Sequence, residues 1–194
     1  MNHHTRFSLS NLNGVSEQFR DVAFGSGRCK ASEVVIKQKP CKEYCKMGTW
    51  NVRTMLKDEK LENVKQEMQR YGMNILGLSE VRWKEYGDLI YDGLRVIYSG
   101  GKESQRGVAL ILDKEMAQRV IKVVQHNDRI ILVKLKTEPV NMIIIQVYMP
   151  TSAYTEEEVD SVYDELENLI DNENGNGNIM VMGDWNAAVG EKEG

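Results

Sequence analysis

The chain has 194 residues, 41% of them hydrophobic and 28% charged, which is enough apolar material for one sizeable core. Its net charge of -4 is unevenly spread: residues 1–46 hold 8 Lys+Arg against 4 Asp+Glu, and the remainder holds 17 against 25, a balance of -8. A body this acidic is no general sponge for nucleic acid, because non-specific binding rests on Lys and Arg neutralising phosphates; any such contact must be local, metal-bridged or helped by the basic front.

No apolar run approaches the roughly 18–20 residues of a membrane helix, and the stretch with Asn2, His3, His4, Arg6, Gln18 and Arg20 lacks the apolar segment of a signal peptide. The expectation is a soluble, intracellular chain without a membrane partner. Residues 1–45 mix Ser, Asn, Gly, Lys and Gln with scattered apolar positions, and read as a disordered or irregular basic tail. Cys29, Cys41 and Cys45 all lie there, odd in number and without paired metal spacing, so they read as free thiols. A zinc site completed by His3 or His4 is the weaker alternative.

The pattern changes at Met47-Gly48-Thr49-Trp50-Asn51-Val52, a β-prone run that opens the domain assigned to residues 46–194. Asp58 is placed to cap a helix in which Leu61, Val64, Met68 and Tyr71 share a face, and Gly72 stands where it should stop. Asn74 to Glu80 is an apolar run ending in a carboxylate, as in a strand buried on both faces. Leu89–Tyr91 and Leu94–Tyr98 flank Asp92-Gly93, a two-residue hairpin signal. Further strands are expected over Gly107–Leu112, Arg119–Val124, Ile130–Lys136 and Val140–Tyr148, with a turn at His126-Asn127-Asp128. Thr155 and Glu158 form a capping-box pair, after which Val159, Val162, Tyr163, Leu166, Leu169 and Ile170 mark the apolar face of a second helix. Asn172–Asn178 is a loop, and Ile179–Met182 a last strand running into Gly183-Asp184-Trp185-Asn186.

Four strands thus end in functional side chains: Asn51, Glu80, Tyr148, and Asp184 with Asn186. Ligands gather at strand ends in layered sheets, because rigid strands present variable loops there. Carboxylate and amide oxygens are hard ligands suited to Mg2+, while Tyr and Asn donate to phosphate oxygens, so the set fits phosphoryl transfer. Each residue also has a purely structural reading: a turn at Asn51, a Glu80–Arg82 pair, a half-buried Tyr148, an Asx turn at Asp184 and Asn186.

Gly-Thr-Trp-Asn-Val-Arg (48–53), Leu-Ser-Glu-Val-Arg-Trp (78–83), Arg-Gly-Val-Ala-Leu-Ile-Leu (106–112), Val-Tyr-Met-Pro-Thr (147–151) and Gly-Asp-Trp-Asn (183–186) occur in order. Together they resemble the endonuclease/exonuclease/phosphatase superfamily, and within it the apurinic-type endonuclease domain of RTE-like non-LTR retrotransposons. The resemblance implies an α/β, four-layer fold: a sandwich of two β-sheets flanked by helices, with a second sheet expected to be incomplete. It also implies Mg2+ or Mn2+ as cofactor, DNA as partner and, for an enzyme acting on DNA, a nuclear location. By resemblance Asn51 and Glu80 would bind the metal, Tyr148 would contact the scissile phosphate, and Asp184 with Asn186 would position the attacking water. Arg53 stands where apurinic endonucleases often have an acidic residue, and Thr151 where many members have Asn; Arg106 and Gly107 are assigned to structure.

Family members complete the site with a later Asp and an Asp-His pair, which nothing in this chain matches. His3, His4 and His126 lie in the tail and in an expected turn. The chain is therefore expected to be a truncated domain, inactive or nearly so by itself and poorly soluble. A retained non-catalytic module that binds protein or nucleic acid, and a phosphatase acting on inositol phosphates or nucleotides, are the alternatives.

Overall fold

The computed structural model describes residues 45–173 and 177–186. The expectations about the basic tail, Cys29, Cys41, His3, His4 and Gly175 lie outside these residues. Within them are nine strands and three helices, arranged as helix, sheet, sheet, helix.

The first sheet contains β1 (Met47–Asn51), β2 (Ile75–Ser79), β3 (Tyr86–Tyr91), β4 (Leu94–Ser99) and β5 (Val108–Leu112), in the order β1-β2-β5-β4-β3. Strands β1 and β2 run parallel, joined by α1 (Asp58–Tyr71), whose Val64 and Met68 pack on the outer face of this sheet. Every residue of β2 and β5 is buried, as strands covered on both faces require. The hairpin β3–β4 turns at Asp92 (φ 45) and Gly93 (φ 82), the left-handed pair that a tight hairpin of this twist demands.

The second sheet is β6 (Val120–Gln125), β7 (Ile130–Leu135), β8 (Met142–Tyr148) and β9 (Asn178–Asp184), in that order, with β8 and β9 parallel. Between them runs α3 (Glu156–Asn172), which lays Val162 and Leu166 on the outer face against Ile130, Leu132, Ile143 and Ile145. The two inner faces meet in a core of Ile75, Ile97, Leu110, Leu112, Ile131, Val133, Leu135 and Ile144. Both parallel pairs use a helical crossover, the connection that parallel strands need.

Several boundaries differ from the sequence reading. The N-cap of α1 is Lys57, in extended conformation and without a side-chain cap bond, so Asp58 is the first helical residue. Gly72 ends that helix at φ 59, as expected. A short helix α2 (Lys114–Gln118) was not anticipated; the Asp113 side chain caps it by accepting the Met116 amide at 2.8 Å. Tyr163, expected on the apolar face of α3, is exposed because it sits one position round the helix from buried Val162. Strand β9 continues past Met182 to Asp184, paired with Tyr148 on β8.

No helix among the described residues is long and apolar enough to cross a membrane. Cys45 is a free, half-buried thiol, and burial followed by the charge of Asp113 pushes its pKa up to about 11.

Candidate active site

The inner faces of both sheets change from apolar to polar toward one end. Gln146 on β8, wholly buried, donates through Nε2 to Ser79 Oγ (3.0 Å) and Thr49 Oγ1 (3.2 Å), clamping the first sheet to the second. Gly77 makes room for it: a Cβ there would lie 1.9 Å from Gln146 Oε1. Thr49 and Gln146 each lie two residues before a site residue, so Asn51 and Tyr148 project from the same inner faces one step further on.

At that next step the strand-end residues meet. Asn51 Nδ2 donates to Glu80 Oε1 at 2.9 Å and to Asp184 Oδ2 at 2.7 Å, joining the ends of β1, β2 and β9. Tyr148 OH donates to the same Glu80 Oε1 at 3.1 Å, and Arg82 Nη2 pairs with Oε2 at 3.1 Å. Asn186 stands beside them: its backbone N–H donates to Asp184 Oδ1 (3.2 Å) and its side chain to the Met149 carbonyl (2.6 Å). All five residues expected from the sequence therefore fall in one cluster. Glu80 (φ 57), Arg82 (φ 60), Arg53 (φ 55) and Asn186 (φ 46) all adopt the left-handed region, a concentration of backbone strain at one place.

The hydrogen bonds set the charge states. Burial works to raise the Glu80 carboxyl, but donors from Asn51, Arg82 and Tyr148 outweigh it and hold its pKa below the usual range, so Glu80 is ionised at neutral pH. Burial, then the charge of Glu80 and its hydrogen bond, push the Tyr148 phenol up to about 12. Tyr148 is consequently a donor across the physiological range and no general base.

The donor set fits a hard divalent cation. Two carboxylates from different sheets converge on the Asn51 amide nitrogen, and their oxygens are ligands of the kind Mg2+ and Mn2+ take; Asn51 Oδ1 faces the Arg53 amide, so Asn51 would join a metal shell only with its amide turned over. No group of three His, Cys, Asp or Glu side chains suited to a metal occurs among the described residues.

The sequence reading did not include the residues that brace this cluster. Arg129, 6% exposed, donates through Nη1 to the Tyr148 carbonyl (3.0 Å) and stacks on the Tyr148 ring, 5.3 Å from its centroid. Gln146 lies inside an apolar strand, and a polar residue in such a run was the available signal. His126, the one histidine among the described residues, is hydrogen-bonded to Glu165 on α3 at 3.1 Å. Of the family departures, Arg53 is exposed and donates its backbone N–H to Asn51 Oδ1 at 3.0 Å.

Residues 48–193 match the model of the endonuclease/exonuclease/phosphatase family. Craniofacial development protein 2 of Bos taurus is 42% identical over 159 residues, covering 81% of this chain and 26% of that protein; the chain thus spans about a quarter of that relative's length. Among solved structures, the AP endonuclease LMAP from Leishmania major superposes with a TM-score of 0.57 at 12% identity, over 72% of this chain and 54% of that one. The endonuclease domain of TRAS1, a telomere-specific non-LTR retrotransposon, gives 0.51 at 16% identity, over 75% and 60%. These likenesses agree on a fold of two mixed sheets with flanking helices, and by the family match the chain belongs to the endonuclease/exonuclease/phosphatase family.

Proposed function

We propose that the strand-end cluster is the metal- and phosphate-binding part of a Mg2+- or Mn2+-dependent DNA endonuclease site of retrotransposon type. The observation that carries this reading is the bridge from Asn51 to both Glu80 and Asp184 across two sheets, with Tyr148 donating to the same carboxylate. Support for DNA rather than a small phosphate ester comes from similarity to proteins named as an AP endonuclease and a retrotransposon endonuclease domain.

Glu80 and Asn51 would hold the cation, which when bound neutralises charge on the phosphate. Tyr148, protonated at neutral pH, donates to a phosphate oxygen. Asp184, its carboxylate already oriented by Asn51 and by the Asn186 amide, accepts a hydrogen bond from the attacking water and aims it. Asn186 supplies a second donor at the same rim. Burial of Tyr148 and the hydrogen bonds that join half-buried Asn51, Glu80 and Asp184 hold these dipoles before substrate arrives.

Proton transfer by histidine, which the family resemblance assigns to the site, has no candidate among the described residues, because His126 is held by Glu165. The 194-residue chain by itself is accordingly expected to bind metal and DNA but nick DNA slowly or not at all. Isothermal titration of Mn2+ into the chain should show one site that Glu80→Ala removes and Glu165→Ala leaves intact. Equal Mn2+ affinity in the Glu80→Ala variant would sink the proposed site. Rapid Mg2+-dependent plasmid nicking by the chain would overturn the expected inactivity while leaving the site assignment in place.

A further inference from the structure

Beside the proposed site lies a second cationic group that its chemistry does not use. The loops after β2, before β5 and before β7 are laced together: Val81 N–H donates to Gly107 O (3.1 Å), Arg82 N–H to Arg106 O (2.7 Å), Gly107 N–H to Asp128 O (3.0 Å) and Tyr148 N–H to Arg129 O (2.8 Å). This lacing gathers Arg82, Arg106 and Arg129, three of the seven arginines among the described residues, on one rim of an otherwise acidic body.

Arg106 and Arg129 share one aromatic ring. Their guanidinium carbons lie 5.5 and 5.0 Å from the centroid of Tyr154, and Arg106 Nη2 also donates to the Tyr154 hydroxyl at 3.2 Å. Arg129 also lies 5.3 Å from the centroid of the Tyr148 ring, whose hydroxyl donates to Glu80. Asp128 approaches Arg106 at 3.6 Å, too long for a hydrogen bond, and Glu158 adds only a more distant charge.

Arg129 is the anomaly. It is 6% exposed, yet its hydrogen bonding among the described residues is one bond from Nη1 to a carbonyl, out of five N–H donors. No carboxylate hydrogen-bonds to it, while burial and then the neighbouring charge of Arg106 depress its pKa. Asp128, ion-paired with Arg106 at 3.6 Å, answers part of this charge. The other Arg129 nitrogens are not shut away from solvent, since the buried unpartnered side-chain nitrogen among the described residues is Arg82 Nε, so the two guanidinium groups keep donors that an anion can reach. Bracing Tyr148 explains Arg129, but it does not explain why Arg106 is stacked on the same ring.

We propose that Arg106, Arg129 and Tyr154 form a second phosphate subsite, which takes a backbone phosphate of the nucleic-acid strand next to the scissile one. The proposal rests on the endonuclease reading above. It also answers the charge problem of the sequence: a body of net -8 over residues 47–194 meets the strand through a few placed arginines rather than a general basic surface. Arginine suits the task because its planar fork can stack on an aromatic ring and still present its edge to phosphate.

The test is the binding of thymidine oligonucleotides of increasing length by the full chain, without divalent metal, at several salt concentrations. Arg106→Gln is the probe variant because Arg106 is partly exposed; circular dichroism checks its fold. Removing one phosphate contact should lower the slope of log affinity against log salt by about 0.7. Affinity for the longer strands should fall several-fold, Arg106→Lys should recover part of it, and thymidylyl-thymidine, with its single phosphodiester, should bind the variant and unaltered chain alike. Equal affinity and equal slope for Arg106→Gln and the unaltered chain on long strands would overturn the subsite and leave the endonuclease reading standing. Failure of the unaltered chain to bind any length without metal would overturn the subsite, and failure that persists with Mn2+ added would overturn the endonuclease reading as well.

Discussion

Gln146 ties the two sheets together next to the strand-end cluster. It is buried, it hydrogen-bonds Ser79 and Thr49, and it lies directly beneath Asn51 and Tyr148. Gln146→Ala would leave both hydroxyls without their partner and open a cavity, costing about 2–4 kcal/mol, measurable as a lower urea midpoint at unchanged m-value. Gly77→Ala should destabilise as well, by about 1–3 kcal/mol, because the added methyl overlaps Gln146 and Met182. At this scale five polar side chains stand out in the sequence, Asn, Glu, Tyr, Asp and Asn at or just past the ends of β-prone runs, and the fold brings them together. The sequence did not reveal Arg129 or Gln146 as supports. Their importance comes from contacts between β8 and other strands that are distant in sequence, such as the 67 residues separating Gln146 from Ser79.

Among the elements, α3 was the most legible and makes two measurable commitments. Its capping box is complete: the Glu158 amide donates to Thr155 Oγ1 at 3.3 Å, and the Thr155 amide to Glu158 Oε2 at 3.0 Å. Thr155→Ala should therefore cost about 1 kcal/mol of thermal or urea stability. At the far end buried Glu173 accepts from Lys134 Nζ at 2.9 Å and from Lys122, tying the helix to β7 and β6. The Lys122 bond is the largest cause holding the Glu173 carboxyl below its ordinary pKa, against burial. A carboxyl depressed on folding adds stability above its unfolded pKa of about 4.3, and that stability is lost as pH falls through the lower folded value. Unfolding curves of Glu173→Gln and the unaltered chain should differ at neutral pH and converge as the solution is acidified below that range; a constant difference would show that the ion pairs are not its source. The helix α2 escaped notice because five residues are too few to display a period, although Asp113 offered a cap.

For the whole molecule, the site exists only because two sheets from different stretches of chain abut. Asn51 and Asp184 are 133 residues apart yet 2.7 Å from each other, so the carboxylate pair forms only when the sandwich forms. A cation bound there should stabilise the folded state by mass action, by about 2.7 kcal/mol at a free concentration 100 times its Kd. The readout is a Mn2+-dependent rise in melting temperature that Asn51→Ala reduces and Glu80→Ala abolishes; a rise of the same size in all three would place the metal elsewhere. Local pattern determined the run of strands, both long helices and the residue types at four strand ends, because hydrophobic period, capping signals and turn dipeptides act over a few residues, while the two-sheet layering came from the order of family motifs. Tertiary structure decided which strands pair, how Asn51 joins Glu80 to Asp184, and that Arg106 and Arg129 meet on Tyr154. These are contacts across tens of residues, fixed by how the two sheets and their loops pack, and no local pattern in the chain encodes them.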